Sequence, residues 1–226
     1  MSVKNIPANR AVDWYKAGWD MFSKDMGTWA LMALIMGVGA IVLSVLPIIG
    51  QIVMLLLMPS LVAGGLYAAQ QSKAGNPVKI EQLWSVLMNP QKRNQFLLLG
   101  GLLFVAAITI AVISAAFIGD NLLRGATVGV GGFGVGGLVF MLVVGFASFV
   151  IFNYTPALML FRDMPLVDAL KTCAKTASTQ IAPLLVLFLI YAVLSFIGSI
   201  PFGLGLLVVI PMTIGAIYVS YEEIFA

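Results

Sequence analysis

Long apolar runs separated by short charged stretches dominate the chain. Six of them, at 29–46, 51–70, 95–118, 138–161, 181–199 and 204–221, contain no Asp, Glu, Lys or Arg. An α-helix of about 20 mainly apolar residues suffices to cross the hydrocarbon of a bilayer. Strands of a membrane barrel would be shorter and would alternate polar with apolar positions, which these runs do not. The pattern predicts an all-α, polytopic membrane protein with six transmembrane helices.

The charged stretches have a periodicity of their own. In RAVDWYKAGWDMFSKDM (10–26), Val12, Tyr15, Trp19, Phe22 and Met26 recur at spacings of three and four. Arg10, Asp13, Asp20 and Lys24 occupy the other side, with Asp20 and Lys24 at a favourable i,i+4 spacing. This predicts an amphipathic helix lying at the membrane interface. The pattern returns in NPVKIEQLWSVLMNP (76–90), where Asn76 suits a cap, Pro77 the first helical position, and Ile80, Leu83, Trp84 and Leu87 an apolar face. It returns again in DMPLVDALKTCAKTA (163–177), where Pro165 is followed by Leu166, Leu170, Cys173 and Ala177 on one face.

The chain thus reads as a single membrane domain over 1–226, built of three parallel repeats of interfacial amphipathic helix plus transmembrane hairpin, with units at about 10–71, 76–162 and 163–225. LSVLPIIG (43–50) resembles LSFIGSIPFG (194–203), and LLLMPSLVAGGLY (55–67) resembles LVVIPMTIGAIY (207–218). The middle unit is looser, with a longer outer loop, IGDNLLRGATVGVGGFGVGG (118–137).

Composition agrees with the pattern: 61% of the residues are hydrophobic and 9% charged, against about a quarter charged in soluble domains. Eleven of the twelve Lys and Arg residues fall on one side of the spans, and only Arg124 on the other. The positive-inside rule makes that side cytoplasmic, both termini included. Trp14, Trp19, Trp29 and Trp84 fall there too, as interfacial anchors would. With no His and the lone Cys173, the chain offers neither a disulfide framework nor the usual zinc or iron ligands. No catalytic, metal or cofactor site is expected. A net charge of +3 is too small and dispersed for nucleic acid, so membrane lipids are the expected partners, with other membrane-protein subunits or self-association as further ones.

The most polar intramembrane cluster is Asn153, Tyr154, Thr155 and Pro156. Pro156 has counterparts in the other two returning spans, Pro59 and Pro211. A proline inside a helix removes a hydrogen bond and displaces the carbonyl four residues earlier, and in lipid the freed carbonyl needs another donor. Asn153, Thr155, Ser60 and Thr213 lie close enough in sequence to supply one. These eight residues form the candidate site, read first as a helix-kink support and second as a solute site of the kind found at interrupted helices. Gly129, Gly131 and Gly134 match G-x-G-x-x-G but follow no buried strand, so a dinucleotide site is rejected. The stripes Ser60, Gly64, Ala68 and Ala107, Ala111, Ala115 suit close helix packing inside the bundle.

The aromatic GWDMFSKDMGTW, the span ending SVLPIIG and the closing IPFGLGLLVVIPMTIGAIYVSYEEIF resemble a family of uncharacterised proteobacterial six-helix inner-membrane proteins ending in S-Y-x-[DE]-I-F. They are also distantly similar to the membrane domain attached to some bacterial glycerophosphodiester phosphodiesterases, whose catalytic domain has no counterpart here. The resemblance implies location and architecture only. Two functions are expected: a non-catalytic accessory, scaffold or assembly subunit, or a transporter or channel for a neutral or amphipathic solute. The spans hold no ionisable group for acid–base work or proton coupling.

Overall fold

The computed structural model of the chain describes residues 6–123 and 134–225, the side chains of 116–123 and 134–135 excepted. Among the described residues there are eight α-helices and no strand: α1 (Arg10–Lys24), α2 (Met26–Ser44), α3 (Ile49–Lys73), α4 (Pro90–Leu123), α5 (Gly134–Phe161), α6 (Leu166–Thr179), α7 (Ile181–Ser199) and α8 (Leu206–Phe225). Six of them, α2, α3, α4, α5, α7 and α8, are long and apolar enough to cross a membrane. The protein is a multi-pass membrane protein. Every described Lys and Arg lies at the end of the bundle where α2, α4 and α7 begin and α3, α5 and α8 finish, hereafter the basic end.

Helix α4 outruns its predicted bounds at both ends and takes in the first residues of the predicted outer loop. Arg124, Gly129 and Gly131 lie outside the described residues, and Gly134 opens α5. At its start, Asn89 caps α4 by accepting the Gln91 N–H at 3.0 Å, with Pro90 in the first helical position.

That cap corrects the reading of 76–90. The helix start lies at Asn89–Pro90, and only a 3₁₀ turn, Ile80–Trp84, forms before it. Asn76 does not cap a following helix. Its amide donates to Gln71 Oε1 at 2.8 Å and its backbone N–H to Gln71 O at 2.9 Å, closing the end of α3. The turn is pressed onto α3 at Gly64, where a Cβ would stand 2.2 Å from the Leu83 carbonyl oxygen.

Helix α1 is also differently turned from its sequence pattern. Its buried stripe is Ala11, Trp14, Tyr15, Gly18, Met21 and Phe22, one residue round from the predicted face. Val12 and Trp19 are each 44% exposed and Met26 47%. The stripe packs antiparallel along α8, with Arg10 at Glu223 and Gly18 at Gly215. A Cβ on Gly18 would stand 2.2 Å from Met212 O, so the two backbones touch. Small residues permit this approach, and the apolar surface goes to another helix rather than to the interface. Trp14 and Trp29 are accordingly buried, at 0% and 1% exposure, and do not act as interfacial anchors. The third amphipathic helix keeps its face: Ala169 and Cys173 are buried in α6, flanked by half-buried Leu166, Leu170 and Ala177.

The core sits among α3, α5 and α8, which all touch one another. Each enters it near its proline. Residues 59–66 of α3 are all buried, as are 154–159 of α5 and, in α8, Pro211 and 213–218. Ser60, Gly64 and Ala68 fall inside this core as the spacing predicts. Ala111 and Ala115 on α4 do not; they are exposed, because α4 meets α3 nearer its own start, at Gly100 against Leu56, and the antiparallel α3 begins only seven residues before Leu56.

Two tight turns close the opposite end. In each, the residue after a proline takes a left-handed conformation, Ile48 at φ 66° and Phe202 at φ 52°, which L-residues rarely adopt. Glycine backbones then brace both turns: a Cβ on Gly50 would strike Leu43 O at 1.7 Å, and one on Gly205 would meet Gly198 Cα at 2.5 Å.

Candidate functional site

The eight candidate residues occupy the packed part of α3, α5 and α8, but the structure spends them in separate contacts. Pro59, Pro156 and Pro211 are buried. On α5, the half-buried Asn153 donates to Phe149 O at 2.8 Å. Tyr154 reaches Ser220 Oγ on α8 at 2.5 Å. Because the single Ser220 proton goes to Ile217 O at 2.9 Å, the phenol is the donor. Thr155 donates to Cys173 Sγ on α6 at 3.4 Å. On α8, Thr213 donates to Val209 O at 2.8 Å and so accepts from the Tyr15 hydroxyl of α1 at 3.2 Å. Ser60, fully buried on α3, has no hydrogen-bond partner among the described residues.

The expected repair of the kinks is therefore corrected. Each proline frees the carbonyl four residues before it, those of Leu55, Phe152 and Leu207. Asn153 and Thr213 donate instead to the carbonyls four residues before themselves, Phe149 and Val209. A short polar side chain on a helix reaches back to its own i−4 carbonyl more readily than across a kink. Thr155 is spent on α6, where the thiol of Cys173, raised to about 11 by burial and opposed by the Thr155 hydrogen bond, stays protonated. Burial likewise raises the Tyr15 phenol, against the pull of Thr213.

The residues that tie the bundle together are ones the sequence pattern did not single out. The closing segment Ser220–Phe225 touches three other helices. Glu223 accepts from Arg10 Nε at 3.0 Å and Nη2 at 2.8 Å, and from the buried Trp14 indole at 2.7 Å. The hydrogen bond and charge of Glu223 raise the Arg10 guanidinium further above its ordinary value. Glu222 pairs with Lys73 of α3 and accepts from Tyr218 at 2.9 Å. Phe225 and Tyr221 stack with ring centroids 5.4 Å apart; Phe225 also lies 6.2 Å from Tyr154, and Tyr221 5.4 Å from Phe161. A separate clamp joins α4 to the end of α5, where Lys92 meets Leu160 O at 3.0 Å and Asp163 at 2.7 Å.

In sequence, Glu222 and Glu223 look like a solvated helix end. The available signal was two adjacent carboxylates at the apolar end of the chain, each needing a cation. Asp20 and Lys24, paired by spacing, are not among the described ion pairs; Asp13 takes Arg10 at 3.0 Å and Lys16 at 3.8 Å. No group of three or more metal-ligating side chains occurs among the described residues. Chemically, the arrangement holds helices against one another; among the described residues no nucleophile is paired with a base. Compared with family models, curated proteins and solved structures, the chain matches none.

Proposed function

We propose that the protein is a non-catalytic subunit of a bacterial inner membrane, acting as an accessory, scaffold or assembly partner through its helix faces. The observation that carries this reading is how the polar side chains are used. Tyr154, Thr155, Thr213, Glu222 and Glu223 all bind other helices of the same chain, while broad apolar faces on α2, α4 and α7 stay exposed. A solute site would instead gather such groups round a shared cavity. We read the three hairpins as parallel repeats, supported by the proline near the core entrance of each returning helix, and the basic end as cytoplasmic, supported by its Lys and Arg.

The alternative, a transporter for a neutral or amphipathic solute, rests on the buried and unpartnered Ser60 hydroxyl. One preparation tests both. Purified in mild detergent at native abundance, the protein should run by native mass spectrometry in an assembly of fixed stoichiometry. A lone chain carrying a small molecule that Ser60→Ala releases would overturn the subunit reading. In a Cys173→Ala background, Asn121→Cys should label with an impermeant thiol reagent in intact cells, and Lys79→Cys only after lysis. The reverse pattern would overturn the orientation.

A further inference from the structure

We propose that the groove between α1, α7 and α8 binds one glycerophospholipid with a zwitterionic head group, its phosphate at Lys16 and its ammonium at Asp20. The groove is open along one side and offers about 430 Å³, room for part of a lipid whose remainder stays in the bilayer. Its apolar wall is Val12 and Trp19 of α1, Ile190 of α7 and Met212 of α8, and its charged rim is Lys16 and Asp20. Tyr15 adds a ring whose hydroxyl is already given to Thr213.

Three features select this occupant. First, α1 has two apolar faces. One is consumed by α8, and the other, Val12 and Trp19, is left 44% exposed at both positions. Second, Ile190 lies midway along the membrane-spanning α7, while Lys16 and Asp20 lie on a helix outside the spans. A ligand filling the groove therefore meets apolar surface from a span and charge from α1, which is the layout of a phospholipid. Trp19, an apolar ring with one polar edge, suits the boundary between chain and head group.

Third, the rim charges are opposite and little used inside the protein. The Lys16 side chain is 73% exposed and reaches Asp13 only at 3.8 Å. Asp20 is exposed and enters none of the described ion pairs. One turn apart, they offer a cation and an anion side by side. A phosphate–ammonium head group complements both. An anionic lipid would satisfy Lys16 and be repelled by Asp20. This inference stands apart from the subunit reading, since a lipid in this groove is compatible with either function.

The test places the full chain in nanodiscs of equal parts phosphatidylethanolamine and phosphatidylglycerol, extracts it in mild detergent and counts retained lipids by native mass spectrometry. A single phosphatidylethanolamine should stay bound. Lys16→Glu, a change on an exposed side chain, should lower its occupancy about five-fold, the effect of one basic residue at a membrane surface. Ile190→Trp, which fills the groove, should abolish it, while Val38→Trp on an exposed face of α2 should not. Asp20→Lys should shift retention toward phosphatidylglycerol. Equal retention of both lipids by the unaltered chain, occupancy unmoved by Lys16→Glu and Ile190→Trp, or a polypeptide retained in place of lipid would each overturn the proposal.

Discussion

In α3, the eight residues from 59 to 66 are all buried, whereas the seven before them, 52–58, are only partly buried. The change falls at Pro59, and α8 repeats it at Pro211. Toward the basic end, backbones touch at Gly18 and Gly64, hydroxyls and carboxylates join neighbouring helices, and aromatic rings cluster around Phe161 and Phe225. Toward the opposite end, Ile41, Val42, Val193 and Phe196 are all more than half exposed. Residues 52–58 and 59–66 of α3 are alike free of charge in sequence. One excludes lipid by packing, and the other presents side chains to it. In a membrane, apolar burial gives helices little reason to prefer one another over lipid, so close approach and polar pairing must supply the difference.

The largest test of this contrast compares two aromatic residues. Trp14 is fully buried with its indole on Glu223, and Phe196 is 73% exposed. Trp14→Ala should cost about 4 kcal/mol, as for large-to-small changes in a packed core. Phe196→Ala should stay within about 0.5 kcal/mol. Thermal unfolding in detergent measures both, and equal effects would erase the distinction between the ends.

Glycines give the next comparison. Gly18→Ala drives a methyl into the Met212 carbonyl, whereas Gly37 has nothing within 4 Å of an added Cβ. Overpacking should cost the first about 2 kcal/mol. The second should be neutral or slightly stabilising. Proteolysis should also release α1 faster in Gly18→Ala. An unchanged rate would mean that α1 is not held by that contact.

The smallest effects separate the members of the candidate cluster. Tyr154→Phe leaves Ser220 without its donor in a buried site and should cost about 1 kcal/mol. Asn153→Ala removes only a bond to its own helix, at Phe149, and should cost no more than about 0.6 kcal/mol. A larger loss in Asn153→Ala than in Tyr154→Phe would restore Asn153 as the kink support that the sequence suggested.

Much of the fold was legible in the chain. All six spans appear near their predicted positions, because a charge-free run of about 20 apolar residues has few other places to go. The three prolines were legible as a repeated feature of the returning helices, and the structure shows that each lies within or at the start of a buried stretch, Pro59 in α3, Pro156 in α5 and Pro211 in α8. Less legible were the roles around them. Spacing placed Asn153 and Thr213 beside a kink, but their shortest reach is along their own helix. The surface helix expected at 76–90 is only a 3₁₀ turn because Asn89 and Pro90 give a helix start of equal quality thirteen residues after Asn76 and Pro77.

What the sequence determined by itself was the partition between water and hydrocarbon: six apolar spans, three amphipathic stretches and a basic end, each written in local composition. Only the tertiary structure decided which apolar face meets protein and which is left to lipid. It turned α1 by one residue so that Gly18 could meet Gly215, and it brought Glu223 to Arg10 and Trp14 across 213 and 209 positions of chain. The reason is that lipid and a neighbouring helix are equally apolar, so hydrophobic periodicity cannot tell them apart. Backbone contact at glycine and complementary polar partners can, and both exist only once distant segments have met.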